Sequence, residues 1–191
     1  MEAIDLLLSR RSVPGMYLAD PAPSGEDLQK ILQAAIRVPD HGKLGPWRLQ
    51  VIRKDGQKML GEIYADLFKK KNPDAEERLI EIERNRPQLA PILICATAKL
   101  DPAHKIPVVE QQLSGGALCG NLLNAAHALG YAANWVTTWV AYDADVKKAL
   151  GHSPDTDIIG FIYLGTPSSP PQERPRPTVE DVVSEWVGPA A

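Results

Sequence analysis

The sequence predicts an α+β fold, one mixed β-sheet packed between helices, from three observations. Helical periodicity recurs over five or more segments. Two short, continuous apolar runs, Ile92–Ala96 and Ile158–Leu164, read as buried strands. Helices and strands follow one another without the strict alternation of βαβ units. At 191 residues the chain suits one domain with a sizeable core, 1–191.

The elements follow in order. Ala3, Ile4, Leu7 and Leu8 fall at helical spacing and predict a short helix over 2–10, ending at Arg10-Arg11-Ser12 before Pro14. Ser24 reads as an N-cap with Glu26 and Asp27 in the first turn, and Leu28, Ile31, Leu32, Ala35 and Ile36 form one apolar face over 25–37. Residues 47–52 alternate after a proline and predict a strand; 56–71 and 74–86 are charged, amphipathic and helical. The longest helical pattern, 107–130, carries Gly115, Gly116 and Gly120 in its middle. Each interior glycine costs about 1 kcal/mol against alanine, so close approach of another helix or of a ligand is expected there. Asn134-Trp135-Val136 reads as a short strand and 143–150 as a helix closed by Gly151.

The 17 prolines cluster at 14–23, in the Pro39/Pro46 loop and at 167–177, so that 14–23 and 167–191 read as extended arms. Met16, Tyr17, Val182, Val183 and Trp186 on those arms, with Gly116 and Gly120 on one side of a helix, are poorly satisfied in a monomer and ask for a second copy of the chain.

Composition excludes several function classes. With 44% hydrophobic residues, 24% charged and a net charge of −3, the chain lacks the basic balance of a nucleic-acid binder. No apolar run approaches the roughly 18 residues of a membrane span. Two acids precede any base at the start of the sequence, which is not a signal-peptide layout, and the expected location is cytoplasmic. Cys95 and Cys119 show no metal spacing and read as buried free thiols; no metal site is expected. G-x-S-x-G, Walker A, G-x-G-x-x-G and H-E-x-x-H motifs do not occur.

Four segments carry groups that could bind a ligand. Arg10, Arg11 and Ser12 offer forked donors and a hydroxyl to a phosphate, or simply complement the end of the first helix dipole. The loop Pro39-Asp40-His41-Gly42-Lys43-Leu44-Gly45-Pro46-Trp47 places a histidine and a lysine among glycines that allow close backbone approach. Trp135, Val136 and Thr137 suit either core packing or the edge of a flat apolar ring. Arg174 and Arg176 stand on a proline-stiffened segment, either solvated or able to close over a phosphate.

In this order the segments resemble the FMN-dependent nitroreductase family, the compact members with a Pro-Asp-His loop. The matching pieces are Ile4-Asp5-Leu6-Leu7 with Arg10-Arg11-Ser12, helix 25–37 into Pro39 and Pro46-Trp47, Pro91–Ile94, the small-residue helix 107–130, Leu129-Gly130-Tyr131 before Trp135, and Ile159–Pro167 with its Tyr-Leu-Gly-Thr-Pro end. The resemblance implies an intertwined homodimer binding FMN at the subunit interface and using NADH or NADPH to reduce a nitroaromatic, quinone or related small oxidant by a ping-pong mechanism. It implies that Arg10 and Ser12 hold the phosphate and ribityl chain, with Arg11 contributing backbone or side-chain contacts, and that Arg176, ahead of Arg174, closes on the phosphate. Arg37 and His41 would reach the flavin from the second copy, and Trp135, Val136 and Thr137 would line the ring. Lys43 and Gly45 stand where many members carry Asn and Gln, so Lys43 is expected to bring its positive charge to the reduced flavin by a different route. No residue is assigned as catalytic acid, because the hydride chemistry belongs to the cofactor. Two alternatives are a family member with a specialised cleavage or dehalogenation reaction and a non-catalytic dimeric binding protein.

Overall fold

The computed structural model describes residues 2–188; Met1 and the last three positions of the expected arm, 189–191, lie outside the described residues. The elements are α1 (Ala3–Ser9), β1 (Leu18–Ala19), α2 (Gly25–Ala35), β2 (Trp47–Ile52), α3 (Lys54–Lys71), α4 (Glu77–Asn85), β3 (Ile92–Lys99), α5 (Val108–Ala128), β4 (Ala132–Val136), α6 (Trp139–Tyr142), α7 (Ala144–Ala149), β5 (Thr156–Pro167) and α8 (Val179–Val182).

One sheet carries the fold, in the order β2-β3-β5-β4, with β1 paired to the last two residues of β5. The α+β class holds. The sheet expected to be mixed differs in strand direction: every pairing among the described residues is antiparallel.

The continuous apolar runs are explained by burial on both faces. Leu93, Cys95, Phe161 and Tyr163 join Tyr64 of α3 and Val140 of α6 in one core. Their strand neighbours Ile94, Ile162 and Leu164 point the other way and join Ile31 of α2 with Leu118 and Leu122 of α5. Cys95 and Cys119 are buried free thiols, and burial pushes both up to about 12.

Helix α5 crosses the sheet. Gly115 is required by a close approach, but the neighbour is a strand side chain: a Cβ there would sit 2.9 Å from Ile159. Gly120 has nothing within 4 Å, so its face of α5 is open within this chain.

Three expectations change. Residues 14–23 are not a free arm. A 3-10 turn, Gly15–Tyr17, and β1 pack them onto β5, with Val13, Gly15 and Leu18 buried. The lack of a side chain at Gly15 makes this seat possible, because a Cβ would lie 3.0 Å from Leu89 and 3.1 Å from the Tyr163 ring. Ser24 occupies the N-cap position without a side-chain hydrogen bond. Helix α6, a single turn, has no counterpart in the sequence reading. From Ser168 to Val187 the chain runs exposed, relieved by the short α8 with a Thr178/Asp181 capping box. Among the described residues no helix is long and apolar enough to cross a membrane.

Candidate functional site

The end of α1 and the segment after β5 converge. Backbone bonding of Arg10 N–H to the Leu6 carbonyl (2.9 Å) closes α1, after which the chain turns extended. Val13, buried, donates its amide to Ala133 at 3.2 Å and so pins Arg10-Arg11-Ser12 beside β4. The Ser168 amide bonds to the Tyr17 carbonyl at 2.9 Å and directs the following residues across the same region. Between them lies a cavity of about 870 Å³, lined by Arg10, Arg11 and Ser12 on one side and by Gln172, Arg174 and Arg176 on the other.

Four arginines and no acid line this cavity among the described residues. Arg11 is 15% exposed at its side chain and donates from Nη1 to Glu173 Oε1 at 2.9 Å and to the Gln172 carbonyl. Arg176 donates to the Arg174 carbonyl at 3.3 Å. Arg10 is only half-buried as a residue, but its Nη1 is enclosed and has no hydrogen-bond partner among the described residues. Burial first, then the charges of Arg176 and Arg11, lower its pKa. An enclosed guanidinium nitrogen beside two like charges is unfavourable unless an anion completes it.

Strand β4 leads away from this cluster. Asn134 lines the cavity, and Trp135 follows with its indole N–H bonded to the Ile159 carbonyl at 3.1 Å. Its ring fills the space over Gly160, where a Cβ would come within 2.0 Å of Nε1, and a Cβ on Gly116 would sit 3.7 Å from the ring. With its N–H committed, Trp135 offers a partly exposed ring surface and no donor. Val136 is half-buried and Thr137 exposed. Trp139, four residues on, goes elsewhere: Nε1 donates to Glu83 at 2.9 Å and the ring packs on Tyr64, 6.0 Å between centroids.

The Pro39–Trp47 loop is stapled to α5. Trp47 Nε1 donates to Ser114 Oγ at 2.8 Å, and that hydroxyl donates to the Pro39 carbonyl at 2.8 Å. Asn121 Nδ2 donates to the Ala34 and Arg37 carbonyls, fixing the end of α2. Gly42, Lys43 and Gly45 all adopt left-handed backbone, with φ of 67°, 57° and 58°. Only glycine does so freely, so Lys43 is held there by the loop. His41 Nδ1 lies 2.7 Å from Glu110 Oε2, over a small cleft of about 240 Å³ that includes Pro39, Leu113 and Ala117.

The structure therefore brings together Arg10, Arg11, Ser12 and Arg176, with Arg174, and places Trp135, Val136 and Thr137 on the adjoining strand. Arg37, His41 and Lys43 do not line the arginine cavity of their own chain. Sequence reasoning missed Tyr17, Asn134 and Glu173. The one acid directly before Arg174-Pro175-Arg176 was the available signal for the last of these.

Comparison with known proteins matches residues 7–166 to a model described as the nitroreductase family. A protein of Escherichia coli K12 named "Putative NAD(P)H nitroreductase YdjA" is 36% identical over 167 residues, covering 87% of this chain and 89% of the relative. One of Haemophilus influenzae, "Putative NAD(P)H nitroreductase", is 34% identical, covering 87% of this chain and 89% of that one. Among solved structures, a nitroreductase-like family protein from Bacillus cereus superposes with a TM-score of 0.83 at 20% identity, covering 98% of this chain and 97% of that one. A "putative nitroreductase in complex with FMN" from Desulfovibrio desulfuricans gives a TM-score of 0.74 at 25% identity, covering 98% and 99%.

Proposed function

This chain belongs to the nitroreductase family, and we propose that it is an FMN-dependent NAD(P)H oxidoreductase that reduces nitroaromatics, quinones or related small oxidants. The relatives' names supply the electron donor and the reaction class, and the Desulfovibrio neighbour binds FMN. The observation that carries the reading is the arginine cavity. Arg10, Arg11 and Arg176 line one cavity, and the enclosed Nη1 of Arg10 has no partner among the described residues. A phosphate monoester, with about two negative charges near neutral pH, answers that deficit.

In this reading Arg10, Arg176 and Ser12 hold the phosphate and the start of the ribityl chain. Trp135 presents an apolar wall to the ring, with the backbone of Val136 and Thr137 at its edge, since the Val136 side chain packs into the core on the other face of the sheet. When bound, FMN supplies the hydride chemistry, accepting from NAD(P)H and donating to the oxidant. The residues of β4 would orient the ring, and donor and oxidant would use the site in turn. Protein purified from cells is expected to be yellow and to release FMN, not FAD or riboflavin, on acid treatment. Initial rates are expected to give parallel lines with varied NAD(P)H and oxidant. Colourless protein that takes up no FMN would overturn the cofactor reading, and intersecting lines the ping-pong order.

The assembly proposed is a homodimer. Helix α1 buries none of its residues in its own chain: Leu8 is 81% exposed, with Ile4 and Leu7 beside it. Leu113 of α5 is 67% exposed and Trp186 of the C-terminal segment 82%. Apolar surface on three elements at once asks for a partner. A second copy would also bring Arg37, His41 and Lys43, which lie outside the arginine cavity of their own chain, to complete the ring end. Truncation before Thr178 is expected to lower both dimer stability and FMN retention, read by sedimentation and by the flavin-to-protein absorbance ratio. A truncated chain that stays dimeric and yellow would contradict this.

A further inference from the structure

Among the described residues Glu173 is the one carboxylate bonded into the arginine cluster. Its Oε1 takes the Arg11 Nη1 donor at 2.9 Å and the Arg174 amide at 2.7 Å, and the neighbouring Gln172 carbonyl takes Arg11 Nη1 as well. The Glu173 side chain is otherwise 75% exposed, whereas Arg11 is nearly enclosed. The donors it uses are of the type and place a phosphate needs: a forked guanidinium and a backbone amide on the segment that closes the cavity. We propose that Glu173 is an internal competitor for the anion of this cavity, a carboxylate that must give up Arg11 before a ligand phosphate can take it, and so a residue that sets how tightly the phosphate is held.

The cluster's charge makes the role intelligible. Four arginines with no counter-charge would bind any multivalent anion. One tethered carboxylate neutralises Arg11 and leaves Arg10 and Arg176 to do the discriminating. A weak anion does not displace it; a phosphate that also gains the enclosed Arg10 donor does. The Arg174 amide, and then the charge of Arg11, hold the Glu173 carboxyl below the ordinary range, so it stays ionised and competent to compete near neutral pH.

The proposal rests on reading the cavity as a phosphate site, and its test separates the two. Apoprotein of the wild type and of Glu173→Gln is titrated with FMN and with riboflavin, followed by quenching of flavin fluorescence. Separately, thermal stabilisation by inorganic phosphate is measured at constant ionic strength. Glu173→Gln is expected to bind FMN about fivefold more tightly, the scale of one exposed ion pair removed. Riboflavin affinity is expected to stay as it was, and inorganic phosphate to stabilise the variant at lower concentration than the wild type. If FMN binds neither protein but phosphate still distinguishes them, the cofactor reading fails and the competitor role stands. If FMN binds the wild type and Glu173→Gln binds it equally or more weakly, with no change towards inorganic phosphate, then Glu173 only positions Arg11 and the proposal is overturned.

Discussion

Arg10→Ala apoprotein is expected to bind FMN roughly 30- to 100-fold more weakly than wild type while losing none of its own thermal stability. The two halves of this result have one cause. Arg10 Nη1 is enclosed without a partner, and Arg176 and Arg11 press like charge upon it. In the free protein that arrangement is a liability, and a neutral, smaller side chain relieves it. In the complex the same nitrogen supplies charge-assisted hydrogen bonds worth about 1.5–3 kcal/mol each, a factor of ten or more in affinity. Comparison with riboflavin locates the loss. Wild type should prefer FMN strongly, and Arg10→Ala should lose that preference with little change in riboflavin affinity. Arg10→Lys keeps the charge without the fork and should fall between the two. A variant that melts lower than wild type yet keeps FMN would mean that Arg10 serves the fold, and the phosphate reading would lose its main support.

The sequence made the fold legible wherever a local pattern reports burial. Ile92–Ala96 is apolar at every position because β3 is covered on both faces, and Leu28, Ile31 and Ala35 mark the buried side of α2. Where a distant partner decides the structure, the pattern is silent. Helix α6 exists because Trp139 finds Glu83 and Tyr64, both more than 50 residues away. The prolines of 14–23 announced the loss of helix but not that Gly15 would fit against Leu89 and Tyr163. The glycines of α5 asked for a close neighbour, expected to be a helix or a ligand; for Gly115 it is instead a strand side chain, Ile159.

The candidate site divides along the same line. Arg10, Arg11 and Ser12 are adjacent in sequence, yet spacing alone left them equal to a helix-end cluster. What makes them a cavity is the return of the chain 161 to 162 residues later, when Gln172 and Glu173 reach Arg11. The proline-stiffened segment left Arg176 either solvated or able to close over a phosphate, and the family resemblance joined it to that cluster. Glu173 went unassigned because an acid next to an arginine reads as a solvated charge pair until its distant partner is known.

The ring end of the site has its own decisive test. Gly160→Ala is expected to destabilise the protein by about 1–3 kcal/mol, a fall of roughly 2–12 °C in melting temperature for a chain of this size. The added Cβ would lie 2.0 Å from Trp135 Nε1, 2.4 Å from its Cδ1 and 3.1 Å from the Val136 carbonyl. A strand of Ile, Phe and Tyr has no local use for a glycine, which weakens the ladder. Here it sits opposite Ala96, beside the irregularity of the β3–β5 register, and makes room for an indole whose N–H bonds to the next carbonyl, that of Ile159. Expelling the indole should damage fold and site together. FMN and riboflavin should both bind Gly160→Ala more weakly and by a similar factor, the opposite of the phosphate-specific loss at Arg10. Truncating the indole in the same chain, Trp135→Ala with Gly160→Ala, should recover most of the lost stability without recovering flavin binding, because the clash is gone and so is the wall. A double variant no more stable than Gly160→Ala would show that the glycine answers to the Val136 carbonyl and the β-ladder, and that Trp135 is not what it accommodates.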